Sequence, residues 1–125
     1  MVKGHRKEKF QVALQTSSQT LISDVKENLG GTDLGPDPHE LLEASLVACT
    51  VITVQMYADH KKWNLQSTEV QVKIDKEGAD SHILREIRFT GDLTEEQRTR
   101  LMEIANKCPI HKLLTGKIEI TTRAF

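Results

Sequence analysis

The sequence has no surplus of charge of one sign. Its 17 Lys and Arg stand against 18 Asp and Glu, for a formal net charge of −1. A nucleic-acid binder normally carries a basic excess, so this class is set aside. There is no CxxC pair, and His39, His60, His82 and His111 have no spacing that suits zinc with the two cysteines, Cys49 and Cys108. No metal is expected. A Ser/His/Asp triad has no candidate. The run Gly30-Gly31-Thr32-Asp33-Leu34-Gly35-Pro36 lacks the strand–Lys–helix context of a phosphate loop. No repeat or low-complexity segment is present. No apolar run follows Met1-Val2-Lys3-Gly4-His5-Arg6, so no secretory signal is expected and a cytoplasmic location is. Two cysteines in such a chain are not expected to form a structural staple.

What is present fits a soluble globular chain. Apolar residues make up 38% and charged residues 28%. The 125 residues suit a single domain over 1–125. A chain of this size can bury roughly two-thirds of its unfolded surface, so it needs no staple to reach a core.

Residues 10–14 alternate as a strand does, and residues 20–25 can pair with them across a polar turn at 15–19. A loop rich in Gly and Pro follows, to Pro38. Asp37-Pro38-His39-Glu40 then reads as a helix start: Asp as N-cap, Pro first, Glu at the third position. Between Leu41 and Ala58 the only charge is Glu43, and the apolar residues cover most of the circumference. Such a helix is buried on most sides. Glu43, Ser45, Thr50, Thr53 and Gln55 interrupt it too often for a membrane span. Running to about His60, it would be roughly 34 Å long. A domain of this length has a radius of gyration of about 14 Å. One small sheet can hardly cover such a helix, and a second subunit is expected to cover the rest.

Val70, Val72 and Ile74 alternate with polar residues, as do Ile87 and Phe89 around Arg88, and Gly78 lies between the two runs. They predict a hairpin with one wet face. Thr94-Glu95-Glu96-Gln97 is a capping box for a second helix with a narrow stripe of Leu101, Ile104, Ala105 and Cys108. Pro109 can open a short third helix that Gly116 stops, and Ile118 and Ile120 predict a last strand. The order is ββαββααβ, an α+β fold.

The two cysteines have two readings each. Cys49 lies in the middle of the apolar helix, where plain packing would raise its pKa and leave it inert. Reactivity needs a cation, and none lies within one helical turn, residues 45–53. An Arg or Lys would have to arrive from elsewhere in the fold or from a partner. Cys108 would be the N-cap of the Pro109 helix, where backbone N–H groups favour a thiolate, with Lys107, His111 and Lys112 nearby. The other reading is a helix junction without chemistry. A disulfide between the two would close a loop of about 60 residues, and only if their helices pack together.

Two motifs go further. Residues 35–50, GPDPHELLEASLVACT, resemble the central helix of the OsmC/Ohr family (osmotically inducible protein C and organic hydroperoxide resistance protein). Residues 105–114, ANKCPIHKLL, resemble that family's second cysteine motif, and the element order fits as well. The resemblance implies an intertwined homodimer with an OsmC-like fold and a thiol peroxidase without metal, haem or flavin. It implies that Cys49 is peroxidatic, passing through a sulfenic acid, and that Cys108 resolves it as a disulfide. It further implies an external dithiol reductant of lipoyl type. In that family the activating arginine comes from the N-terminal strand region, which makes Arg6 the candidate here. The family's best-studied branch has a glutamate one residue after the proline. Here that position is His39, with Glu40 next to it. Expected substrate-side residues are His39, Glu40, Leu46, Ile52 and Thr53; the apolar helix residues around Cys49 (Leu46, Val47, Ile52, Thr53) suit an organic hydroperoxide ahead of hydrogen peroxide. The alternative is a dimeric module on the same fold that binds a small molecule without peroxidase activity. A third reading leaves both thiols merely buried.

Overall fold

Residues 1–43 and 44–125 form two units, each with its own sheet. The computed structural model describes all 125 residues. In the first unit, β1 (Lys3–Arg6), β2 (Val12–Gln15) and β3 (Thr20–Ser23) form an antiparallel meander in the order β1-β2-β3. Register pairs Arg6 with Val12 and Val12 with Ser23. The expected hairpin is β2–β3. Its turn is closed by the Thr16 hydroxyl, which accepts from the Gln19 N–H at 2.9 Å. Strand β1 was not expected, because KGHR has no apolar pattern and all four residues are exposed. Only backbone pairing to β2 makes it a strand.

After β3 the chain wraps around one buried carboxylate. Asp24 accepts from the N–H of Val25 (2.8 Å), Thr32 (3.1 Å) and Leu34 (3.2 Å), and from the Thr32 hydroxyl (2.7 Å). The Thr32 hydroxyl leads the forces that lower its pKa to about 2. Gly31 and Gly35 sit where this loop touches the backbone beside β3. A Cβ at Gly31 would fall 2.0 Å from the Val25 oxygen, and one at Gly35 2.1 Å from the Ile22 oxygen. No other residue fits that approach.

The loop ends in the expected helix start. The Glu40 N–H donates to the Asp37 carboxylate, and the Asp37 N–H to the Glu40 carboxylate, both at 2.9 Å. This reciprocal cap opens α1 (Pro38–Lys61), which begins in the first unit and continues into the second. Its 24 residues make it about 36 Å long. By length and composition it could cross a membrane. Its buried residues, Leu46, Thr50, Val54 and Ala58, are four apart and form one stripe instead. On other faces Leu42 (40%), Ile52 (57%) and Met56 (68%) are exposed.

The second unit packs that stripe against a ribbon and a helix. Strands β4 (Asn64–Lys76) and β5 (His82–Asp92) pair antiparallel, with Val70 opposite Ile87 and Ile74 opposite Ile83. Helix α2 (Glu95–Ala105) starts at the expected Thr94/Gln97 capping box. Val54, Ala58, Leu65, Phe89, Leu101 and Ala105 make the core, with Tyr57 and Trp63 stacked edge-on at 5.5 Å beside it. Complete burial of a side chain such as Leu101 contributes about 1.5–3 kcal/mol. Helix α3 (Pro109–Thr115) has Cys108 as N-cap and Gly116 as C-cap, as expected. The last strand is not formed: residues 116–125 are irregular and pair with no other strand. The observed order is βββαββαα rather than ββαββααβ. Two alternating isoleucines are too little to make a strand without a partner edge.

Candidate active site

The ribbon brings the missing cation. On β5 the residues Ile83, Arg85, Ile87 and Phe89 share one face, opposite Ile74, Val72, Val70 and Thr68. Arg85 is thus a charge on the apolar side. A half-buried guanidinium is tolerated only when its N–H groups are bonded. Here they are. Nη1 donates to the Thr50 hydroxyl and to the Ala105 carbonyl, both at 3.1 Å, and Nη2 donates to the Asn106 side-chain oxygen at 2.7 Å. Thr50 in turn donates to the Leu46 carbonyl at 2.7 Å, one turn back on α1.

Thr50 follows Cys49, and Asn106 lies two residues before Cys108. The same junction therefore brings the thiols together. Both are free; Cys49 is partly exposed and Cys108 fully buried. Burial pushes the Cys49 thiol up. Hydrogen bonds from the Cys108 S–H, the Ile110 N–H and the Thr53 hydroxyl, together with the Arg85 charge, outweigh it, so the Cys49 pKa falls below the ordinary thiol value. Cys108 moves the other way. Burial raises it, its bond to Cys49 raises it further, and the N–H groups of His111 and Ile110 offset only part. The pair is polarised: the Cys49 thiol is more acidic, and the Cys108 thiol less acidic, than an ordinary thiol. Burial and the Arg85 charge also lower the His111 pKa, which favours a neutral imidazole.

The other expected residues fall in different places. Thr53 reaches Cys49 from one turn along α1. Ile52 is exposed beside it, whereas Leu46 is buried in the stripe. His39 is exposed near the start of α1 in the first unit, and Glu40 is engaged in the helix cap and 3.8 Å from Lys26. Arg6 lies on the exposed strand β1, its Nη1 3.4 Å from the Lys9 carbonyl. The guanidinium beside the thiols in the second unit is Arg85, which the sequence reading did not single out. The parity of Ile83, Arg85, Ile87 and Phe89 carries the pointer: an arginine at an apolar position of a half-buried strand. No group of three or more His, Cys, Asp or Glu side chains gathers to hold a metal.

A family model described as OsmC-like protein matches residues 31–123. Comparison with the curated proteins gives no match. Among solved structures, the fold is similar to that of an OsmC-like protein from Mycoplasma pneumoniae, with a TM-score of 0.78 at 16% identity, covering 93% of this chain and 86% of that one. It is similar to an organic hydroperoxide resistance protein OsmC from Legionella pneumophila (TM-score 0.69, 20% identity, 93% and 88% covered). It is also similar to an organic hydroperoxide resistance protein from Elizabethkingia anophelis (TM-score 0.68, 20% identity, 94% and 89% covered). At such identities the likeness carries the fold alone.

Proposed function

The chain belongs to the OsmC-like family, and on that premise we propose that it is a thiol peroxidase reducing organic hydroperoxides, and hydrogen peroxide second, through Cys49. One observation carries the reading. Two free thiols share a hydrogen bond beside a guanidinium, one partly exposed and made more acidic, the other fully buried and made less acidic. Inert core cysteines have no need of that polarity.

The Cys49 thiolate attacks one oxygen of the peroxide bond. The S–O bond forms as the O–O bond breaks, and the alkoxide leaves as an alcohol once it takes a proton. Arg85 lowers the cost of the negative charge on sulfur before this step. Cys49 is then a sulfenic acid. The Cys108 sulfur attacks the Cys49 sulfur, the S–O bond breaks, and the hydroxyl leaves as water with the Cys108 proton. An external dithiol of lipoyl type reduces the resulting disulfide. Ile52 and Thr53, within a turn of Cys49 on α1, are the residues to meet a hydrocarbon tail. Two chains pair through the exposed apolar face of α1, in the cytoplasm. The support for pairing is the exposure of Leu42, Ile52 and Met56 on a helix otherwise fit for a core.

The test is titration of the reduced protein with one equivalent of cumene hydroperoxide, followed by intact mass and thiol counting. The expected result is the loss of two hydrogens and of both thiols, with Cys49→Ser consuming no peroxide above background. Unchanged mass with two free thiols would move the reading to the binding module on the same fold.

A further inference from the structure

Arg85 bonds to more than the thiol chemistry alone requires. One guanidinium spans two separate stretches of chain. On one side it holds Thr50, adjacent to Cys49. On the other it holds the Ala105 carbonyl and the Asn106 side chain, just before Cys108. Apart from the bonds that Cys108 and Ile110 make to Cys49 itself, the 106–108 junction is tied by short-range backbone bonds: Lys107 N–H to Ile104 and Cys108 N–H to Ala105, at 2.9 and 3.3 Å. Those bonds shape the junction without fixing its position relative to α1. Arg85 is a polar side-chain bridge from β5 to both cysteine-bearing segments, and its planar fork sets direction as well as distance.

We propose that Arg85 is a positioning residue for the second half of the reaction: it clamps the Cys108 junction against α1 so that the Cys49 sulfenic acid closes to a disulfide before a second peroxide arrives. The inference rests on the peroxidase reading. The sulfenic acid has two competing fates. Attack by Cys108 forms the S–S bond and releases water. Attack by the sulfenic sulfur on a second hydroperoxide forms a sulfinic acid and releases an alcohol, an irreversible loss of the enzyme. A held partner thiol wins this competition through its high effective concentration.

The experiment is a pulse of excess cumene hydroperoxide on reduced wild type, Arg85→Gln and Arg85→Lys. Intact mass then gives the ratio of disulfide (two hydrogens lost) to sulfinic acid (two oxygens gained). The branch lies after the sulfenic acid, so the speed of the first step drops out. Wild type is expected to form disulfide almost alone. Arg85→Gln is expected to raise the sulfinic share about tenfold, the scale of losing charge-assisted hydrogen bonds. Arg85→Lys, which keeps the charge but loses the fork, is expected to follow Arg85→Gln. Asn106→Ala removes one bond and no charge, and is expected to raise the share about threefold; it serves if the Arg85 variants do not fold. A wild-type ratio in the folded variants, or a wild-type ratio restored by Lys, overturns the clamp. Unreacted thiols in wild type overturn the peroxidase reading along with it, a pattern distinct from Cys49 reacting with unchanged partition.

Discussion

Asp24 and Arg85 invite comparison. Each is one charged side chain that ties two stretches of chain together, one in each unit. Asp24 takes four hydrogen bonds, three of them from backbone N–H groups within its own loop. Its charge is fully spent on the fold. Arg85 makes three bonds, and their acceptors are a hydroxyl, a carbonyl and an amide, all neutral. Its positive charge remains uncompensated and falls on the two sulfurs beside it. A buried charge matched by dipoles aimed at it is structural. A buried charge with field to spare is available for chemistry.

The largest effect that would break this contrast is at Arg85. Removing its charge is expected to move the rise of Cys49 reactivity with pH to higher pH and to slow peroxide consumption near neutrality about tenfold. Stopped-flow peroxide consumption across pH, on wild type and Arg85→Gln, checks this. Superimposable profiles would make Arg85 as purely structural as Asp24. The next effect is at Asp24. Its folded-state carboxyl titrates at about 2, below the ordinary 3.8. The depressed value means that the folded state binds its proton later than the unfolded chain does. The stability it lends is therefore present above pH 3.8 and is lost as the pH falls towards 2. Asp24→Asn is expected to lose stability at neutral pH and to flatten that acid limb, read by denaturant unfolding at stepped pH. The folded fraction is expected to keep the Cys49 pH profile. The smallest effect belongs to Arg6, exposed on β1. Arg6→Ala is expected to change peroxide consumption by no more than about twofold, as for other surface substitutions. A loss as large as that of Arg85→Gln would mean that the first unit delivers a second cation to the thiols.

Local chemistry made much of this legible from the residues. The Asp37–Glu40 and Thr94–Gln97 caps mark two helix starts through contacts only three residues apart, and Pro109 behind Cys108 marks a third. The β4–β5 hairpin declared itself through alternation. The misses are long-range. Strand β1 exists because β2 offers an edge, not because Lys3-Gly4-His5-Arg6 has any pattern of its own. Ile118 and Ile120 have the pattern but no edge. Arg6 is the arginine to which the family resemblance points, and Arg85 is the one whose charge reaches Cys49 across the fold. A charged residue in a strand reads at first as part of the wet face. Arg85 is 35 residues from its Thr50 acceptor, a separation no local motif spans.

The β4–β5 ribbon has a consequence of its own. With only two strands, every residue in it belongs to an edge. In an antiparallel pair the inward N–H groups alternate with N–H groups turned away from the partner strand. Placed in heavy water, such a ribbon keeps time with two clocks: slow amides between the strands and fast ones along the outer rims. Any strand that docks on a rim, from this chain's irregular tail or from another molecule, stops the fast clock on that side and leaves the slow one running. The ribbon therefore carries a built-in record of what has been added to it, legible one amide at a time.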